Sequence, residues 1–176
     1  MADINLREKT DLNGGPGSAG QPDLSEEQVL ELIELLFFAY RDFISDPDEI
    51  LEGYGFGRAH HRVVHFIGRN PGIRVAQLLE ILRITKQSLG RVLRELIETG
   101  FVYQEEGTQD RRQRLLYLTD NGKDLAQRLA APQVTRVRAA VSACGGDAQA
   151  SYRNVLFHLI DAQDRANVHR LIVKPE

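Results

Sequence analysis

The stretch VAQLLEILRITKQSLGRVLRELIETGFVYQEEGTQDRRQRLLYL, residues 75–118, decides the fold. It opens with a short helical pattern that turns Leu78, Leu79 and Leu82 inward. Thr85 then caps a second helix, whose Leu89, Val92, Leu93, Leu96 and Ile97 recur at offsets of 3, 4, 7 and 8 residues, the amphipathic template. Gly100 stands where the end of that helix needs a left-handed residue. Phe101 to Glu105 and Arg114 to Leu118 read as strands on either side of a polar loop, Gly107 to Gln113. Helix, tight turn, helix and hairpin form the winged helix-turn-helix plan. In it the second helix enters a DNA major groove and the hairpin reaches flanking backbone or minor groove.

Outward from this block the pattern stays helical. Upstream, Asn70-Pro71-Gly72 is a turn, because proline fixes its own φ and glycine accepts a positive one. Ala59, Val63, Phe66 and Ile67 mark a helix before it. Ser25 with Gln28 three residues on caps a first helix carrying Val29, Leu32, Ile33, Leu36, Phe37 and Tyr40, and Asp46-Pro47 is expected to stop it. Downstream, Thr119 caps a long helix from Asp120 to about Ala143, which Pro132 should bend or divide. Gly145-Gly146 break that helix, and a last one runs from about Asp147 to Ala166. The expected fold class is mainly α with a small β-hairpin wing, a winged helix-turn-helix flanked by dimerisation helices. The expected divisions are a flexible arm at 1–22, rich in glycine and proline, and an N-terminal dimerisation helix at 23–47. A DNA-binding domain at 56–119 and C-terminal dimerisation helices at 120–168 complete the chain.

Composition agrees with such a molecule. The chain has 176 residues, 42% hydrophobic and 27% charged, enough for one ordinary core. Its longest apolar run, Leu35 to Tyr40, is far below the roughly 20 residues of a membrane span, and no charged-then-apolar leader precedes it. A single cysteine, Cys144, makes no internal disulfide and fits a reducing cytoplasm. The formal charge of −3 hides a segregation: Leu24 to Tyr54 holds nine acids against Arg41, and Arg58 to Arg94 holds eight bases against Glu80. The middle of the chain therefore carries a local positive field suited to a polyanion.

With the apolar residues of the 86–98 helix inward, Gln87, Arg91 and Arg94 share its opposite side, with Lys86 and Ser88 near its start. Arg bridges guanine O6 and N7, Gln pairs with adenine N6 and N7, and Ser and Lys suit phosphate. The loop adds Arg111, Arg112 and Arg114; one of these guanidiniums can lie across a narrow minor groove, held by Asp110. The expected DNA-binding set is thus Lys86, Gln87, Ser88, Arg91, Arg94, Arg111, Arg112 and Arg114. Because one recognition helix covers only a few base pairs, a two-fold dimer is needed to span two half-sites. Val29, Leu32 and Leu36 with Val155, Leu156, Leu159 and Ile160 exceed what the wing motif needs for its own core and are expected at the dimer surface.

The series Asn70-Pro71-Gly72, Thr85 to Glu98, Gly100-Phe101-Val102, Asp110-Arg111-Arg112 and Leu118-Thr119 with Gly122 resembles the MarR family of bacterial transcriptional regulators, best from Phe56 to Leu129. The run Gly57-Arg58-Ala59-His60-His61-Arg62 resembles one subgroup of it. The resemblance implies a cytoplasmic homodimer on a near-palindromic double-stranded operator, released by a small molecule, an oxidant or a metal. It puts Lys86, Gln87, Ser88 and Arg91 where the family reads bases and phosphates, and Arg112 at the wing arginine. It also implies an effector crevice beside the second helix, with His60, His61 and Tyr40 as candidate pocket residues. Departures are Gln104 where arginine is frequent, Gly90 for threonine, and Val75 for a capping Ser or Thr.

His61 and His65 have the i, i+4 spacing of two metal ligands, but Arg62 follows His61 where a zinc hydrolase carries Glu. Packing or hydrogen bonding is the expected role of the histidines, so neither metal nor cofactor is expected; Cys144 is read as a small helix-end residue or a one-cysteine oxidant sensor. No phosphate loop, dinucleotide fingerprint or nucleophile elbow is present, so no enzyme is expected. The alternative reading is a winged-helix protein-binding adaptor or antirepressor, which would carry apolar residues where Lys86, Arg91 and Arg94 stand.

Overall fold

The computed structural model describes residues 24–107, 110 and 112–173. The expected arm at 1–22 lies outside them. In chain order the elements are α1 (Glu26–Glu52), α2 (Arg58–Arg69), β1 (Ile73–Arg74), α3 (Val75–Leu82), α4 (Lys86–Glu98), β2 (Val102–Glu106), β3 (Arg114–Leu118), α5 (Asp120–Cys144), α6 (Ala148–Leu159) and α7 (Arg165–Ile172). The chain divides into two units, one ending at Ala39 and the other beginning at Tyr40.

In the first unit, Ser25 and Gln28 cap α1 reciprocally: the Gln28 N–H donates to Ser25 Oγ at 3.3 Å and the Ser25 N–H to Gln28 Oε1 at 2.9 Å. The described residues of this unit are exposed, Leu32, Leu35, Leu36, Phe37 and Phe38 among them.

The second unit holds the core. Its buried apolar residues come from every layer of the winged motif: Val63, Val64 and Ile67 of α2, Leu78 and Leu82 of α3, Leu89, Val92, Leu93 and Leu96 of α4, and Val102, Leu116 and Leu118 of the sheet. Leu125 and Leu129 of α5 and Leu51 of α1 close it. Each such side chain contributes about 1.5–3 kcal/mol on leaving water.

The structure corrects or extends four sequence expectations. First, α1 does not stop at Asp46-Pro47 but runs on to Glu52 with Pro47 buried inside it. A proline cannot donate to the carbonyl four residues back, which here belongs to Phe43. Gln133 of α5 supplies the missing donor, its Nε2 lying 3.3 Å from the Phe43 oxygen, and Arg136 adds an ion pair to Asp46 at 3.0 Å. Second, of the two effects expected of Pro132, a bend or a division, division does not occur: α5 is continuous through it.

Third, the hairpin forms as expected, β2 paired with β3, and β1 adds to it, making a three-stranded antiparallel sheet in the order β1-β3-β2. Gly72, at φ +81°, turns the chain so that its N–H donates to the Leu116 oxygen at 2.9 Å, and Ile73 pairs with Leu116. Fourth, the expected last helix is two. Arg165, at the start of α7, folds its guanidinium back onto the carbonyls of His158 (2.7 Å) and Ile160 (2.9 Å), ending α6 there. α6 and α7 bury no residue, and Tyr152, Val155 and Leu159 of α6 stand exposed. No helix among the described residues is long and apolar enough to cross a membrane.

Candidate nucleic-acid interface

α4 owes its position to its start. The Thr85 hydroxyl accepts the Ser88 N–H at 3.1 Å and lies 2.8 Å from the Ser88 hydroxyl, so the first turn is capped. From that anchor the buried leucines and Val92 set the rotation of the helix, and Lys86, Gln87, Ser88, Arg91 and Arg94 all emerge exposed on its other side. The five expected residues of the helix are therefore brought together. Ser88 has a local part as well, because its hydroxyl belongs to the cap.

The electrostatics of this face are distinctive. No acid occupies the first turn of α4. Lys86 stands there instead, at the positive end of the helix dipole, where a cation costs a few tenths of a kcal/mol and a phosphate would relieve it. Lys86 and Arg94 have no ion pair among the described residues, and the space over Gly90 is open: a Cβ built there meets nothing within 4 Å.

The cap position of α3 is Arg74, not Val75 as the sequence suggested; no side chain caps the first turn, and the Gln77 side chain accepts the Arg74 N–H at 3.0 Å. Arg62 of α2 donates to the Leu82 carbonyl at 3.2 Å at the other end. Arg83, in the left-handed region at φ +50°, follows; its guanidinium is bonded to Asp164 and lies 3.5 Å from Asp161. One base of the middle segment is thus neutralised by the α6–α7 turn.

At the wing, Arg112 is exposed. Asp110 holds the loop differently from the sequence expectation: among the described residues its carboxylate accepts the main-chain N–H of Arg112 at 2.9 Å rather than a guanidinium. Arg114 is exposed but paired across the β-ladder with Glu106 at 2.8 Å. Arg111 lies outside the described residues.

The histidines separate. His60 is buried and stacked on Phe56, ring centroids 4.6 Å apart. Its Nδ1 accepts the Gly57 N–H at 3.1 Å, and its Nε2 meets Glu95 Oε2 at 2.7 Å. His61 is half-buried; burial first, then the neighbouring His65, pushes its pKa below the ordinary imidazole value, against an opposing pull from Asp48. Tyr40 is exposed. A cleft of about 990 Å³ lies among α2, α3, α6 and α7, lined by Phe66, Ile81, Leu159 and Arg170 among others, and none of Tyr40, His60 and His61 lines it. Cys144 is exposed at the last residue of α5. Among the described residues no three His, Cys, Asp or Glu are grouped to hold a metal ion.

Glu95 went unnoticed in the sequence. Its spacing from Arg91, four residues on one helix, was the available signal for the pair they form at 2.9 Å.

An exposed basic helix beside a three-stranded wing defines a winged helix-turn-helix transcriptional regulator, and comparison with known proteins makes the class specific. Residues 54–113 match the MarR family model. The chain is 46% identical over 158 residues to the HTH-type transcriptional regulator PetP of Rhodobacter capsulatus, covering 90% of this chain and 95% of that protein. The chain belongs to the MarR family. Among solved structures, Streptococcus pneumoniae FabT in complex with DNA superposes with a TM-score of 0.66 at 19% identity, covering 74% of this chain and 94% of that one. Staphylococcus aureus MarR in complex with salicylate and kanamycin does so with a TM-score of 0.60 at 22% identity, covering 76% and 91%.

Proposed function

We propose that the chain acts as a homodimeric repressor that occupies a near-palindromic operator in double-stranded DNA and thereby blocks a promoter in the cytoplasm. One observation carries this reading: Lys86, Gln87, Ser88, Arg91 and Arg94 all emerge on the exposed side of α4, and Arg112 is exposed at the wing. Gln87 and Arg91 have the donors that discriminate bases, while Lys86, Arg94, Arg111, Arg112 and Arg114 suit phosphates. The shared fold with FabT, which was solved in complex with DNA, supports DNA as the partner. A polar, basic face of this kind argues against the adaptor alternative, which needs an apolar one.

Dimerisation is part of the reading. The exposed apolar residues of the first unit and, separately, those of α6 are surfaces that water does not favour and that a second copy would cover. Release by a small molecule also belongs to it. Both ring nitrogens of His60 are engaged within the fold, so His61 and Tyr40 are the expected pocket residues left to meet such a ligand.

The test is duplex selection followed by a salt titration. The protein should enrich a two-fold-related sequence from random duplexes. Arg112→Ala should weaken binding to it and lower the slope of log affinity against log salt by about 0.9 for each phosphate that the variant no longer neutralises. Failure to retain any duplex at low ionic strength, or a chain that stays monomeric in sedimentation at micromolar concentration, would overturn the reading.

A further inference from the structure

Arg91 is not a free side chain. Its Nε–H donates to Glu95 Oε1 at 2.9 Å, and the second oxygen of the same carboxylate lies 2.7 Å from Nε2 of His60 on α2. Because Nδ1 of His60 accepts the main-chain N–H of Gly57, the proton of a neutral ring sits on Nε2, and His60 donates to Glu95. The imidazole has little room to turn, being buried and stacked on Phe56. The order of bonds runs from the backbone at the start of α2, through an imidazole and a carboxylate, to an arginine that is itself exposed on α4.

The carboxylate is engaged by these two donors, one on each oxygen, and both bonds favour its charged form. The Arg91 bond first and the His60 bond second hold Glu95 below the ordinary carboxylate range. The Nε edge of Arg91 is thereby occupied, and the two terminal amino groups, the pair that can bridge O6 and N7 of a guanine, remain for another acceptor. An exposed arginine samples many rotamers and loses that freedom on binding; one already tethered through Nε gives up less.

We infer that Glu95, held in turn by His60, is a positioning residue for Arg91 and sets the base preference of the recognition helix without touching DNA itself. This rests on the reading that α4 enters the major groove. The pair is more than a solvated i, i+4 bridge because the acid has a second, buried partner from another helix. A carboxylate is also the one side chain that serves both donors at once. In Glu95→Gln, the amide oxygen can accept from Arg91 or from His60, and its NH2 group then confronts the other donor.

The experiment is a base-preference profile, measured by selection from random duplexes with the full-length wild-type chain, Arg91→Ala, Glu95→Gln and the double variant. Thermal melts and the salt slope of each are recorded in parallel. Arg91→Ala should lose discrimination at one base position by about tenfold or more. Glu95→Gln should lose about tenfold at that same position while the other positions and the salt slope keep their wild-type values. In the Arg91→Ala background Glu95→Gln should change the profile no further. Retained preference in Glu95→Gln, a uniform loss at all positions that tracks a lowered melting temperature, or an effect that persists without Arg91 would each overturn the inference. An unaltered profile in Arg91→Ala would overturn it by removing the base recognition it serves. A wild-type chain that enriches no sequence would instead sink the DNA-binding reading underneath.

Discussion

The side-chain amide of Gln133 donates to the main-chain oxygen of Phe43 across 3.3 Å and 90 positions of sequence. The acceptor is the carbonyl that Pro47 leaves without its helical partner, so a residue of α5 repairs a gap that the sequence of α1 opens. Gln133→Ala should cost about 1 kcal/mol, the loss of one hydrogen bond to a partly buried group. In a Pro47→Ala background, where residue 47 regains an N–H, the same substitution should cost clearly less. Chemical denaturation of the four proteins measures the coupling, and strictly additive losses would refute the pairing.

Two glycines make opposite predictions. A Cβ on Gly122 would lie 2.0 Å from the Phe101 oxygen, backbone against backbone where α5 passes the start of β2, so Gly122→Ala should destabilise by about 3 kcal/mol. Gly90 is mid-helix with open space about it, and Gly90→Ala should stabilise by about 0.5–1 kcal/mol. Denaturation midpoints at constant slope decide both; a stabilised Gly122→Ala or a destabilised Gly90→Ala would contradict the packing described.

The half-buried His61 predicts a pH dependence. Its pKa in the folded chain lies below the ordinary imidazole value, chiefly through burial, so the unfolded chain binds the proton more readily. The stability this contributes is complete above the ordinary imidazole range and is lost as the pH falls through the folded value. Urea midpoints should therefore decline from about pH 7.5 to about pH 5.5, and His61→Gln should flatten that decline. A midpoint that rises on acidification would show the sign to be wrong.

Elements specified by their own residues were readable. α4 announces itself through Thr85, five apolar positions and Gly100, and β3 lies at Arg114–Leu118 as expected. What escaped depends on partners far along the chain. β1 is two residues long and exists because β3 offers it an edge about forty residues later. The passage of α1 through Pro47 needs Gln133, and the end of α6 needs the returning guanidinium of Arg165. The candidate site divides the same way. The exposed face of α4 follows from helical periodicity alone. The bond from His60 to Glu95 spans 35 positions, and nothing local marks the histidine as a partner of α4 rather than a ligand residue.

The central place of β3 has a mechanical consequence. One of its edges carries β2, and the other carries β1, which passes without a linker into α3. The wing and α3 thereby share a common beam, and α4 is strung between them, from the end of α3 to the start of β2. In the proposed repressor, release from an operator is therefore expected to move this block as one piece rather than to bend it.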